Sequence, residues 1–130
     1  MNAKLSRVIV VTLALFVLAA AAGFAEYDKD TMVKTMRNNF ANLPKLNAAA
    51  NAGNFMEAAG YLLSMAQGMY GVKDYTPPKG EKAAWDATFK GFLKAAFNGL
   101  AACGNEDPAA LKAAIAELTK FRDAGHSQFK

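Results

Sequence analysis

The sequence predicts an all-α domain, an antiparallel up-down-up-down four-helix bundle. Apolar residues recur at spacings of three and four in four separate segments, the mark of a helix that buries one face. No segment alternates apolar and polar residues with the period of two that a half-buried strand requires. The connections between segments are short and rich in Gly, Pro and Asn, which makes successive helices antiparallel neighbours.

Residues 1–25 are set apart from this domain. Lys4 and Arg7 form a short positive region, residues 8–22 are apolar apart from Thr12, and Gly23-Phe24-Ala25 precedes the acidic Glu26. This is the pattern of a signal peptide cleaved after Ala25. The apolar run is shorter than the roughly 20 residues of a membrane span. The expected mature chain, residues 26–130, is exported and keeps no membrane segment. Its size suits one domain able to bury a core.

The first helix is expected over Asp30–Leu43, capped by Asp28 or Asp30, with Val33, Met36, Phe40 and Leu43 as its apolar stripe. Pro44 biases Leu43 away from helical geometry and ends it, and residues 47–53 read as a linker. Asn54 starts the second helix with Glu57 three residues on, a capping-box-like pair. Its stripe is Phe55, Ala59, Leu62, Met65 or Ala66, and Met69. The Tyr75-Thr-Pro-Pro-Lys79-Gly80 segment stops the chain. The third helix spans about Lys82–Ala102, with Trp85, Phe89, Phe92, Ala96, Phe97 and Leu100 on one face. Asp107-Pro108 opens the fourth, Asp as cap and Pro at the first helical position. Leu111, Ile115, Leu118, Arg122, Gly125 and Phe129 then follow at helical spacing.

Charge and residue counts exclude several functions. The chain has 15 basic and 11 acidic residues, and losing Lys4 and Arg7 leaves 13 against 11. With no Lys/Arg cluster, no nucleic-acid partner is expected. One cysteine, Cys103, rules out an intramolecular disulfide and reads as a small buried apolar side chain. One histidine and one cysteine are too few for a zinc site or a His-based triad. No Glu-x-x-His pair exists for a di-iron bundle, and no glycine-rich phosphate loop precedes a helix. No enzymatic chemistry is expected.

The only histidine, His126, lies four residues from the end of the chain. In an antiparallel bundle the end of the fourth helix is level with the start of the first, where Met32, Val33 and Met36 lie. An imidazole and a thioether at one open bundle end can hold haem iron between them. A terminal histidine is more often a surface residue, however, and methionines and a Trp85/Phe89 pair more often fill a core. No Cys-x-x-Cys-His is present, which excludes covalent c-type attachment: Arg122 and Gly125 stand where the cysteines would be.

The C-terminal Leu118-x-x-x-Arg122-Asp-Ala124-x-His126-x-x-Phe129-Lys130 resembles the closing Leu-x-x-x-Arg-Asn-Ala-x-His-x-x-Tyr-Arg of the cytochrome b562 family. Trp85-x-x-x-Phe89 falls on that family's Phe-x-x-x-Phe of helix three, and the Thr76-Pro-Pro-Lys79 turn and the mature length match as well. The resemblance implies a periplasmic bundle that holds haem b and its iron non-covalently and transfers single electrons to a redox partner protein. His126 would be one axial ligand. Trp85, Phe89 and Leu118 would contact or wall the haem, with Arg122 and Lys130 as nearby positive groups; Met36, from its place on the stripe of the first helix, is a further candidate cofactor contact.

Two registers compete for the second ligand. Matching Thr35-Met36-Arg37-Asn38-Asn39-Phe40 to the family's Thr-Leu-Asn-Asp-Asn-Leu puts Val33 at the axial position, and a shift of one residue puts Met32 there. Met32 gives a six-coordinate electron carrier, whereas Val33 gives a five-coordinate gas-binding haem bundle. A haem-free periplasmic interaction bundle is the third reading. A monomer is expected in each case.

Overall fold

The computed structural model describes residues 26–130, so the expected signal peptide lies outside the described residues. Four helices make up almost all of them, and no strand is found there: α1 (Lys29–Asn51), α2 (Phe55–Val72), α3 (Lys82–Gly104) and α4 (Pro108–Phe129). They form the expected antiparallel four-helix bundle. None of these helices is long and apolar enough to cross a membrane.

Three of the four helix starts are set by a polar residue that satisfies amides with no helical partner, and Glu81, before α3, makes no such side-chain bond. Asp28 accepts from the Asp30 and Thr31 amides at 3.1 and 3.3 Å and from the Thr31 hydroxyl at 2.7 Å. The Thr31 hydroxyl, followed by the Thr31 amide, holds the Asp28 carboxyl below its ordinary range. Asn54 Oδ1 accepts from the Glu57 amide at 3.2 Å, and the Glu57 carboxylate accepts from Asn54 Nδ2. The pair therefore closes through two side chains, whereas a full capping box returns to the backbone. Asp107 accepts from the Ala110 amide at 3.0 Å, with Pro108 at the first helical position.

Helix α1 departs from the sequence expectation in length and in phase. Pro44 lies inside it, and the helix continues through most of the expected linker to Asn51. Proline removes one backbone hydrogen bond and crowds the carbonyl four residues back, at a cost of about 3 kcal/mol. Here Pro44 and Phe40 are both exposed, so water can reach the carbonyl left without a partner. On the opposite face Leu46, Ala49 and Ala50 are buried. A fully buried leucine alone contributes about 1.5–3 kcal/mol, enough to offset most of the proline's cost. The turn itself is confined to Ala52 and Gly53, whose φ of +70° suits glycine.

The expected stripe Val33–Met36–Phe40–Leu43 is offset. Met32, Asn39, Leu43 and Leu46 are buried and Met36 packs against them, whereas Phe40 is 80% exposed and Val33 37%. A polar asparagine holds the position expected of Phe40. On α3 the expected core residue Phe97 is likewise 55% exposed. The other expected apolar side chains of the α2, α3 and α4 stripes face or flank the core, and Arg122 and Gly125 are half-buried.

Three of the four seams between neighbouring helices are well packed. The fourth, between α1 and α4, is nearly free of contact. That open seam positions the site.

Candidate functional site

A cavity of about 670 Å³ opens along the α1–α4 seam, at the end of the bundle that holds the chain terminus and the α2–α3 loop. Its size falls within the roughly 300–1,000 Å³ of small-molecule sites. Its lining is mostly apolar and comes from all four helices.

The back wall is an aromatic stack on α3. Trp85 and Phe89, one turn apart, stack with centroids 4.6 Å apart, and Phe129 of α4 meets Trp85 edge-on at 5.1 Å. The Trp85 indole N–H donates to the Lys73 carbonyl at 2.9 Å, which fixes the ring against the α2–α3 connection. Two glycines make room for the aromatic side chains. The Phe121 ring occupies the space beside Gly91, 2.3 Å from where a Cβ would stand. The Phe129 ring lies 2.9 Å from the Cβ position of Gly80, whose φ is +84°. Gly125, beside the histidine, brings α4 close to Thr88, whose methyl group lies 3.4 Å from the Gly125 Cβ position.

Met32 and Met36 reach the cavity from α1, and His126 reaches it from α4. Met32 is 7% exposed and belongs to the buried face of α1. Val33 also borders the cavity, from the more exposed side of the helix. The His126 imidazole has its pKa lowered below 6.5, first by burial and then by the Lys130 and Arg122 charges, with Asp123 opposing. The residue as a whole is exposed, and the unprotonated ring carries a nitrogen lone pair able to ligate a metal. Arg37, Arg122 and Lys130 also line the cavity. The Arg122 guanidinium is held by Asp123 at 2.7 and 2.9 Å.

Of the residues singled out in the sequence, Met32, Met36, Trp85, Phe89, Arg122 and His126 share this one cavity, as does Lys130. Leu118 does not line it; that side chain is fully buried in the core. Sequence reasoning missed Asn39, which is 6% exposed and borders the cavity, with an Oδ1 that has no hydrogen-bond partner. Its spacing of seven from Met32, two helical turns, places both on one face, and that spacing was the available signal. Phe121 was missed because its position depends on Gly91, a residue of another helix.

Haem b fits the donor set of the cavity. A neutral imidazole and a thioether are established axial partners of haem iron, the aromatic wall suits a flat macrocycle, and the cations suit carboxylate substituents. The unpartnered Asn39 oxygen is the one group that such an apolar ring does not satisfy. No cluster of three or more His, Cys, Asp or Glu side chains able to hold a metal ion occurs among the described residues. Cys103 is buried, and burial raises its thiol pKa. No protein-family model matches the chain, and no significant match is found among curated proteins or solved structures.

Proposed function

We propose that this chain is an exported b-type haem protein that transfers single electrons, with His126 and Met32 as axial ligands. The observation that carries the reading is the convergence of an imidazole and a buried thioether, from α4 and α1, on one aromatic-walled cavity at an open seam. The burial of Met32 and the outward tilt of Val33 favour the six-coordinate form over the five-coordinate one.

When bound, haem would supply a one-electron Fe(III)/Fe(II) couple, with the thioether favouring the reduced state. The protein's own residues have separate tasks. His126 offers an unprotonated nitrogen, Trp85 and Phe89 exclude water from one face, and the rim cations Arg37, Arg122 and Lys130 attract carboxylates.

The test is an absorption spectrum of residues 26–130 mixed with haem. The expected result is a Soret band with a low-spin reduced spectrum. A high-spin ferrous spectrum would keep the haem and remove Met32 as ligand, leaving the gas-binding form. No Soret band would overturn every haem reading.

A second reading, a haem-free binding protein, is favoured by one observation, the buried Asn39 oxygen without a partner. Unmet buried acceptors cost about 1–3 kcal/mol, and a ligand bearing an N–H or O–H donor would remove that cost.

A further inference from the structure

A second hollow lies on the outer side of the α2–α3 seam, an open groove of about 690 Å³. Its α3 side is built from two parallel ridges. Phe89, Leu93 and Phe97 follow at intervals of four, and Lys82, Asp86, Lys90 and Lys94 follow at the same interval. On a helix such intervals place side chains one above another. From the end of α2 and the residues just after it come Tyr70, Lys73 and Asp74.

The charges of this groove do not cancel. Lys73 pairs with Asp74 at 2.9 Å, and Lys82 pairs with Asp86. Lys90 and Lys94 are exposed and make no ion pair among the described residues. Between the lysines, Tyr70 is 63% and Phe97 55% exposed. The Lys73 ammonium lies 4.8 Å from the centre of the Tyr70 ring, a cation–π contact that orients it. Exposed aromatic rings among unpaired cations are the composition of a recognition surface, whose apolar centre supplies affinity and whose charges choose the partner.

The groove and the cavity also share a wall. Phe89 lines both, and its stacking partner Trp85 is hydrogen-bonded to the backbone of Lys73, which lines the groove. A protein seated in the groove is thus separated from the contents of the cavity by one aromatic layer.

We infer that the α2–α3 groove docks an acidic electron-transfer partner, whose carboxylates meet Lys90 and Lys94 while an apolar side chain enters between Tyr70 and Phe97. The electron-transfer purpose rests on the haem reading, whereas the preference for an acidic partner rests on the groove alone.

The experiment titrates residues 26–130, with and without added haem, with a random copolymer of glutamate and tyrosine, and follows binding by calorimetry. Lys90→Glu/Lys94→Glu should weaken binding at least about tenfold at low ionic strength. Raising salt above roughly 0.5 M, where screening confines such forces to a few ångströms, should close most of that gap. Lys112→Glu/Lys120→Glu, on the exposed face of α4 and with the same change in net charge, should weaken it less than about twofold. Phe97→Ser should weaken it several-fold and leave the salt dependence intact. Equal losses in the two double variants would overturn the proposal, because attraction would then follow net charge alone. Binding of phosphatidylglycerol vesicles, but not of the copolymer, through Lys90 and Lys94 would overturn it in favour of a membrane surface. Site-specific copolymer binding by a protein that shows no Soret band would leave the docking surface standing and remove the haem reading.

Discussion

The two ends of the bundle solve the same packing problem in opposite ways. At the end where α1 turns into α2 and α3 into α4, buried alanines such as Ala49, Ala50, Ala58, Ala96 and Ala102 fill the gaps around Leu46, Leu62 and Leu111. Gly99 lets the Leu62 side chain come within 2.8 Å of where a Cβ would stand. At the other end the residues facing inward are Met32, Met65, Met69, Trp85, Phe89 and Phe92, and the α1–α4 seam stays open around them. Small side chains let helices close to native density. Bulky ones without partners across the seam hold helices apart and create volume. Tight packing therefore belongs to the first end and open volume to the second.

Four expected outcomes would break or sharpen that division. Leu62→Ala should destabilise the haem-free protein by about 2–5 kcal/mol, measured by urea denaturation. Haem uptake should be retained wherever the variant remains folded. A loss below 1 kcal/mol would mean that the alanine-rich end is not the stable core. His126→Ala should do the reverse, lowering haem affinity by roughly 100-fold or more in an absorbance titration, with the urea midpoint of the haem-free protein barely moved. Unchanged affinity would refute the assigned ligand.

Asn39→Leu should stabilise the haem-free bundle by about 1–3 kcal/mol, since it removes a buried acceptor with no partner. Unimpaired haem binding in that variant would support the apolar ligand, and lost binding would support one that donates a hydrogen bond to the amide. The smallest effect concerns pH. The folded His126 pKa lies below its ordinary 6.5, so the unfolded chain binds the proton more readily. Its contribution to stability is complete above pH 6.5 and declines as pH falls through that value. The stability curve of His126→Ala should be flatter between pH 7 and 5, and an unchanged slope would show that the ring is not desolvated.

What the sequence made legible were the features set by local chemistry. Asp107-Pro108, Asn54 with Glu57, and the Thr76-Pro-Pro-Lys79 break each placed a helix boundary, because capping and proline effects act over three or four residues. The stripe of α2 was equally plain, as its apolar residues keep one phase. In α1 the local rules gave the wrong answer twice. Pro44 should have stopped the helix, but Leu46, Ala49 and Ala50 behind it are buried by packing between helices, and the well-packed neighbour of α1 is α2. Phe40 fits an apolar stripe at helical spacing, yet the helix is rotated so that Met32 and Leu43 are buried, and Asn39 is carried inward with them. The candidate site was legible as His126, Met32 and the Trp85/Phe89 pair. The Asn39 amide and the place taken by Phe121 depend on how four helices meet, which periodicity within one helix does not contain.

Pro44 has a mechanical consequence. Every cavity-lining residue of α1 precedes it, the last being Phe40, and the tightly packed Leu46, Ala49 and Ala50 follow it. The hydrogen-bond ladder of α1 thus lacks a rung near the level where the hollow gives way to solid core. A helix with a missing rung bends there more readily than anywhere else along its length. Bending of α1 is therefore expected at that joint, with the far end held by its packing. If the cavity takes a wide, flat guest, as proposed, that joint is where α1 would yield to admit it sideways through the seam.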